Sequence, residues 1–223
     1  MNKKLFLESF VKYIFGVLLV GLLIFLPAGS FKFYNGWLFM DLLFIPMFLV
    51  GVYLMINDPD LLRRRLNAKE KENEQKDVVL FSALMFILGF IVAGLDYRYS
   101  FLVLPKIVII ISSIIFLISY LLYGLVLKQN TYLLRTIEVE KNQKLVDSGF
   151  YSIVRHPMYL ITIILFFMIP LILGSLISFI VFMMYPLIII KRIENEEEVL
   201  EKDLKGYKEY KKKVRYRLVP FIW

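Results

Sequence analysis

One histidine occurs in the 223 residues, His156, in the stretch Gly149-Phe-Tyr-Ser-Ile-Val-Arg-His-Pro-Met-Tyr159. Pro157 has the fixed φ and the missing N–H that suit a first helical residue. The helix it starts would leave unpaired backbone N–H groups and a positive dipole end beside Arg155 and His156, a natural seat for a carboxylate or phosphate. Arginine and histidine at a membrane boundary also simply snorkel toward headgroups, so this stretch alone leaves both readings open. A second cluster, Lys191-Arg-Ile-Glu-Asn-Glu-Glu-Glu198, puts Arg192 and Glu196 four apart on one helical face. By itself such a run reads first as a solvated charged helix exit. With one histidine and no cysteine there is no zinc site. A carboxylate-only Mg or Ca site is disfavoured because the glutamates are balanced by bases, so no metal is expected. Neither Gly-rich nucleotide signature occurs, and nothing positions a Ser-His-Asp triad.

The elements that must position these groups are membrane helices. The chain is 59% hydrophobic with mean hydropathy +0.69, against about 45–50% apolar in soluble domains. That excludes an ordinary soluble domain, a disordered chain and a disulfide scaffold. A bilayer core takes roughly 20 apolar helical residues. Four spans are predicted, at Val11–Leu26, Gly36–Ile56, Val78–Leu95 and Phe101–Leu127. Asp41 and Lys106 read as interfacial placements near span ends. The uncharged run Met158–Ile190 is too long for one span and breaks at Gly174-Ser175 into halves of about 23 Å at 1.5 Å per residue. The expected fold is therefore an all-α integral membrane protein of about six transmembrane helices, the last two a tight hairpin, with a cytosolic C-terminal helix. A hairpin returns to the side it left, so it brings Arg192, Glu196 and Glu197 back to Arg155 and His156.

Charge orients this frame. With the N-terminus inside, segments 1–12, 57–77, 128–157 and 191–223 hold 24 of the 27 Lys and Arg residues, which places both termini in the cytosol by the positive-inside rule. The net charge of +8 thus needs no nucleic acid; the basic patches are juxtamembrane. Arg63-Arg64-Arg65 reads first as a topology determinant and second as a contact for anionic headgroups. The basic, then apolar, start resembles a signal peptide, but an uncleaved first helix is favoured. Asp58-Pro59 is a cap-then-proline start for a short helix over Leu61–Asp77. Lys128–Tyr151 mixes polar and apolar residues as an ordered loop. In the tail, Leu200, Leu204 and Tyr207 recur at helical spacing, Pro220 stops the pattern, and Phe221-Ile222-Trp223 suits an interfacial anchor. Two regions are expected: 1–127, four helices with a charged loop at 57–77, and 128–223, which carries the chemistry.

Taken in order, Gln143-Lys-Leu-Val-Asp-Ser-Gly-Phe-Tyr-Ser-Ile-Val-Arg-His-Pro-Met-Tyr159, an apolar hairpin, Arg192-x-x-x-Glu196-Glu197-x-x-Leu200, Gly206-Tyr-x-x-Tyr210-x-x-x-Val214 and Pro220 resemble the isoprenylcysteine carboxyl methyltransferase family. That family lies within the wider set of membrane methyltransferases that includes the phospholipid methyltransferases. The likeness covers roughly Asn130 to Trp223. It implies S-adenosylmethionine as methyl donor. By position, Gln143, Lys144, Leu145 and Val146 would line the nucleoside pocket, Tyr151 would add a contact, and His156, Pro157, Met158 and Tyr159 would hold the methionine end. Glu196 would contact the cofactor and Arg192 the methyl acceptor, so these two would carry catalysis. A further contact near Thr136 does not align. A carboxylate acceptor is already ionised at neutral pH and needs no base; an amine acceptor would need Glu196 or Glu197 as base. The resemblance therefore points to O-methylation of a lipophilic carboxylate, with a phospholipid or other amine N-methyltransferase as alternative. The Lys- and Ile-rich, cysteine-free composition leans toward a bacterial plasma membrane. An NADPH-dependent membrane reductase and a non-enzymatic lipid-binding protein are the competing classes. The bilayer is the one partner read directly from the sequence; the oligomeric state is not legible.

Overall fold

The computed structural model describes residues 3–66, 73–102, 104–132, 139 and 143–223, with only the backbone for 73–75. Among these residues every regular element is helical: α1 (Lys3–Ala28), α2 (Tyr34–Asn57), α3 (Pro59–Leu66), α4 (Asn73–Tyr99), α5 (Lys106–Gln129), a one-turn 3-10 helix (Gly149–Ser152), α6 (Pro157–Ile172), α7 (Leu176–Phe182), α8 (Tyr185–Asp203) and α9 (Tyr207–Lys213). Five stretches are long and apolar enough to cross a membrane: α1, α2, Lys76–Tyr99 of α4, α5, and the joined run Leu176–Asp203. The sixth, α6, is apolar but has 16 residues, about 24 Å of helix. Large apolar side chains such as Leu18, Leu26, Leu49, Leu121 and Ile180 stand exposed on the outside. In water they would form a patch far beyond what a monomer tolerates; in hydrocarbon they are matched to their solvent.

The core is aromatic. Phe39, Phe116 and Phe182 are fully buried, and Phe86 meets both Phe166 and Phe182 edge-on, at 4.8 and 5.4 Å between ring centres, a favoured geometry for ring quadrupoles. Two glycines set how closely helices approach. A Cβ on Gly94 would lie 2.6 Å from Ile24 O, so α1 and α4 touch backbone to side-chain-free backbone. A Cβ on Gly89 would meet the Phe182 ring at 2.4 Å, and Ser178 Oγ donates to Gly89 O at 2.8 Å, seating α7 on α4.

The basic segments share one end of the bundle. Lys12 Nζ donates to Leu66 O (2.9 Å), Arg65 hydrogen-bonds Tyr123, and Gln129 reaches Ser148. The hairpin tip lies at the other end, where a Cβ on Gly174 would touch Asn35.

Three expectations change. The hairpin is not a self-contained pair: α6 packs chiefly along α5, and the return arm packs on α4. That arm is also broken after Phe182, because Pro186 cannot donate a backbone hydrogen bond and its ring clashes with the carbonyl four residues back, that of Phe182. Of the helix predicted over Leu61–Asp77, the described part of α3 is Pro59–Leu66, started as expected by Asp58 Oδ1 accepting from Leu61 N at 2.9 Å. Residues 67–72 lie outside the described residues, and Asn73–Asp77 begins α4. The tail is not one helix. Gly206 takes φ +88, a left-handed conformation natural to glycine, and separates α8 from α9.

Candidate active site

Three pieces of chain converge at the basic end, and each is fixed by named bonds. The loop before α6 is tied to the foot of α5: Gln129 Nε2 donates to Ser148 O (2.5 Å), and its Oε1 accepts from Phe150 N (3.2 Å). Gly149 lies under that amide at φ +57, where any Cβ would collide with it. Tyr210 of α9 donates its hydroxyl to Tyr151 O at 2.7 Å, joining the tail to the same turn. The tail then pairs directly with the residues preceding α6: Arg155 N donates to Tyr216 O and His156 N to Arg217 O, both at 2.9 Å. His156 caps α6 and Pro157 is its first residue, as the missing N–H favours.

At the centre is Glu197, which is 2% exposed. Its Oε1 accepts from Arg155 Nε at 2.7 Å and lies 3.2 Å from His156 Nε2. Its Oε2 accepts from Arg217 Nε at 3.1 Å and faces Lys211 Nζ at 3.4 Å. Facing a carboxylate, His156 Nε2 is the protonated nitrogen of the ring. Arg155 also donates from Nη1 to Val214 O and Arg215 O, at 2.8 and 2.7 Å. One buried carboxylate thus gathers the loop, α9 and the tail around the N-terminus of α6. Glu197 was one of two candidate bases for an amine acceptor; with both oxygens committed to cations it has no lone pair facing a substrate proton. Glu196, the next residue, points the other way. Tyr159 of α6 donates to Glu196 Oε2 (2.5 Å) and accepts from Arg192 Nε (2.9 Å). Arg192 and Glu196, one helical turn apart on α8, therefore share a single phenol.

These groups border an open cleft of about 810 Å³, counting the solvent at its mouth. Gln143, Lys144, Leu145, Val146, Tyr151, His156, Met158, Tyr159, Arg192 and Glu196 all line it. Pro157 does not; it is buried behind the wall as the helix start. Thr136 lies outside the described residues. Asn130, Tyr132, Val199, Tyr207 and Tyr210 also line the cleft, and sequence reasoning assigned none of them to it. The apolar spacing of Leu200, Leu204 and Tyr207 was visible, but the turn at Gly206 that aims α9 at the loop was not. Burial pushes the phenols of Tyr151, Tyr207 and Tyr210 well above the ordinary tyrosine range; for Tyr207 the nearby Glu197 and Glu196 charges add to this. All three are neutral hydroxyls at physiological pH. Among the described residues no group of three or more His, Asp or Glu side chains is placed to hold a metal.

The site is amphiphilic. Its lining combines the apolar side chains of Leu145, Val146, Met158, Val199, Leu200 and Leu204 with the cationic Lys144, Arg155 and Arg192, the His156 ring and the carboxylate of Glu196. Such a cleft takes a ligand with an apolar or aromatic part and charged ends. Residues 107–202 match the model of the isoprenylcysteine carboxyl methyltransferase (ICMT) family. The matched segment starts in α5 and takes in the loop, α6, α7 and nearly all of α8, so a little under half of the chain is similar to that family, and it holds most of the residues that carry the motifs. No curated protein matches the chain.

Proposed function

We propose that this protein transfers a methyl group from S-adenosylmethionine to a lipophilic carboxylate, an isoprenylcysteine-like O-methylation, at the cytosolic face of the membrane. The observation that carries this reading is the convergence of Gln143–Val146, Tyr151, His156, Met158, Tyr159, Arg192 and Glu196 on one cleft, within or beside the matched segment. The residues fit the donor. Leu145 and Val146 flank an adenine, Glu196 suits a ribose hydroxyl or the cationic centre, and the cations beside the capped end of α6 suit a carboxylate. Pro157 contributes by starting α6 rather than by contact. Residues 128–223 carry the chemistry on a frame formed by 1–127, both termini lie in the cytosol, and the composition suits a bacterial plasma membrane.

Bound in the cleft, S-adenosylmethionine supplies an electrophilic methyl on a sulfonium. In-line transfer to an acceptor carboxylate would form one C–O bond as one C–S bond breaks, cancelling two opposite charges without a proton transfer, so no residue of the chain would need to act as a base. Reacting charges that neutralise each other are favoured by surroundings poor in water, which the apolar lining at the membrane boundary provides. What the chain must do is align two ligands. Arg192 presents its guanidinium to the acceptor carboxylate while Tyr159 holds its Nε side, and the same phenol fixes Glu196 on the donor. An amine acceptor fits less well, since it would require a base: Glu197 is enclosed by cations and Glu196 already accepts from Tyr159.

The test is transfer of labelled methyl from S-adenosylmethionine to a lipid extract by purified protein in bilayers. Base-labile label indicates an ester and supports the carboxylate reading; base-stable label indicates N-methylation. No transfer, together with thermal protection by NADPH and not by S-adenosylmethionine, would replace the reading with a reductase.

A further inference from the structure

The cleft wall holds a buried hydroxyl that pairs with none of the described residues. Tyr207 is 3% exposed; its ring stands 5.7 Å from that of Tyr210, and its side chain lines the cleft. Its hydroxyl oxygen is buried without a hydrogen-bond partner among the described residues. Its neighbour behaves differently: Tyr210 donates to Tyr151 O at 2.7 Å. A buried hydroxyl gives up its water and regains nothing unless something pairs with it, and such groups in a cleft wall mark where a ligand does the pairing. Burial and the flanking carboxylates keep this phenol protonated, so it is a donor looking for an acceptor.

Tyr207 belongs to one particular wall. It packs in the cluster with Tyr151, Val126, Leu204 and Tyr210, against which Leu145, Val146 and Met158 rest. Tyr159 sits instead in the bundle core with Ile189 and Ile193. A Cβ on Gly206, the residue before Tyr207, would touch Leu145 Cδ2 at 3.6 Å. Tyr207 therefore packs with the loop assigned above to the methyl donor, close enough to Glu196 to feel its charge.

We infer that Tyr207 is a donor-binding residue whose hydroxyl hydrogen-bonds an acceptor atom of bound S-adenosylmethionine. This rests on the methyltransferase reading above. Its sequence signal is the Gly206-Tyr207 pair: the left-handed glycine turns α8 into α9 and delivers the phenol to the loop.

The experiment is titration calorimetry of S-adenosylhomocysteine into the full chain in detergent, without acceptor, for wild type and Tyr207→Phe. The expected result is binding by both, weakened about 5- to 10-fold in the variant, the worth of one neutral hydrogen bond. The ligand-free variant should melt no lower than wild type, since phenylalanine removes only an unpaired oxygen. Tyr210→Phe, which does lose an internal bond, should melt lower. Equal affinity in wild type and Tyr207→Phe would overturn the assignment while leaving the methyltransferase reading intact. A ligand-free melting loss in Tyr207→Phe as large as that in Tyr210→Phe would also overturn it, by showing an internal partner. Absence of binding by wild type would overturn both.

Discussion

Glu197→Gln is the sharpest perturbation of this molecule, because the replacement is nearly isosteric and every bond it disturbs is known. Oε1 faces Arg155 Nε at 2.7 Å and His156 Nε2 at 3.2 Å; Oε2 faces Arg217 Nε at 3.1 Å and Lys211 Nζ at 3.4 Å. Whichever way the new amide turns, its NH2 confronts a cationic donor, and the countercharge is gone. Leaving one member of a buried pair without its partner costs about 3–5 kcal/mol. Here Lys211 and Arg217, at 36% and 25% side-chain exposure, can turn to water, whereas Arg155 and His156, each at 4%, cannot. The lower end, about 3 kcal/mol, is therefore expected. At roughly 2–4 °C per kcal/mol for a chain of this length, the melting midpoint should fall by about 6–12 °C. The loss should be local first: Arg155 releases Val214 O and Arg215 O, and trypsin should cut within Lys211–Arg217 faster than in wild type. Glu198→Gln, at an exposed position on the same helix, should change stability by no more than about 0.5 kcal/mol. A Glu197→Gln variant that melts within about 2 °C of wild type and keeps its tail resistant to trypsin would refute the view that this carboxylate holds the site together.

Four further outcomes are expected. Tyr159→Phe removes the phenol shared by Arg192 and Glu196, and labelled-methyl turnover should drop on the order of 10-fold through lost alignment, with folding checked by gel filtration; unchanged turnover would mean that the two side chains need no bridge. Arg192→Lys should raise the acceptor KM more than it lowers kcat, because an ammonium cannot reproduce the guanidinium fork. Gly94→Val should fail to assemble or melt far lower, since its Cβ falls 2.6 Å from Ile24 O and 3.0 Å from Ala28 N; normal expression and melting would contradict the α1–α4 approach. Alkaline pH should unfold the tail region. Tyr151, Tyr207 and Tyr210 titrate above their unfolded range of about 10. The stability they lend is therefore full below that pH and is lost as pH rises through and beyond it. Ultraviolet titration should show fewer than the 14 tyrosines of the chain ionising near pH 10 before the fold is lost.

The sequence by itself determined the solvent and the helices that meet it, and it marked the segments that come to line the cleft. Apolar runs of bilayer length dictate helices, because a backbone in hydrocarbon must satisfy its own hydrogen bonds; α1, α2 and α4 each contain their predicted span, and α5 starts at Lys106, inside the predicted Phe101–Leu127. Pro157 after His156 started α6, and Asp58-Pro59 started α3, since capping and a missing N–H act within one turn. The motif from Gln143 to Glu197 is local enough to be read as a family resemblance, and the segment match agrees with it.

Tertiary structure decided what depends on distance across the fold. Glu196 and Glu197 are neighbours of one type, and no local rule separates them. Their 100° offset on α8 sends one to Tyr159 in the cleft and the other into a cage of cations drawn from the loop, α9 and the tail, up to 42 residues away in sequence. The hairpin likewise looked self-sufficient in the sequence, but its arms pack on α5 and α4; on α4 the bare Gly89 leaves room for the Phe182 ring and its carbonyl accepts from Ser178 Oγ. Tyr207 became a candidate ligand contact only when a left-handed glycine folded α9 against Leu145. Period and composition describe what one segment wants from its solvent; which segment answers a buried charge or an unpaired hydroxyl is settled when distant pieces of chain compete for the same space.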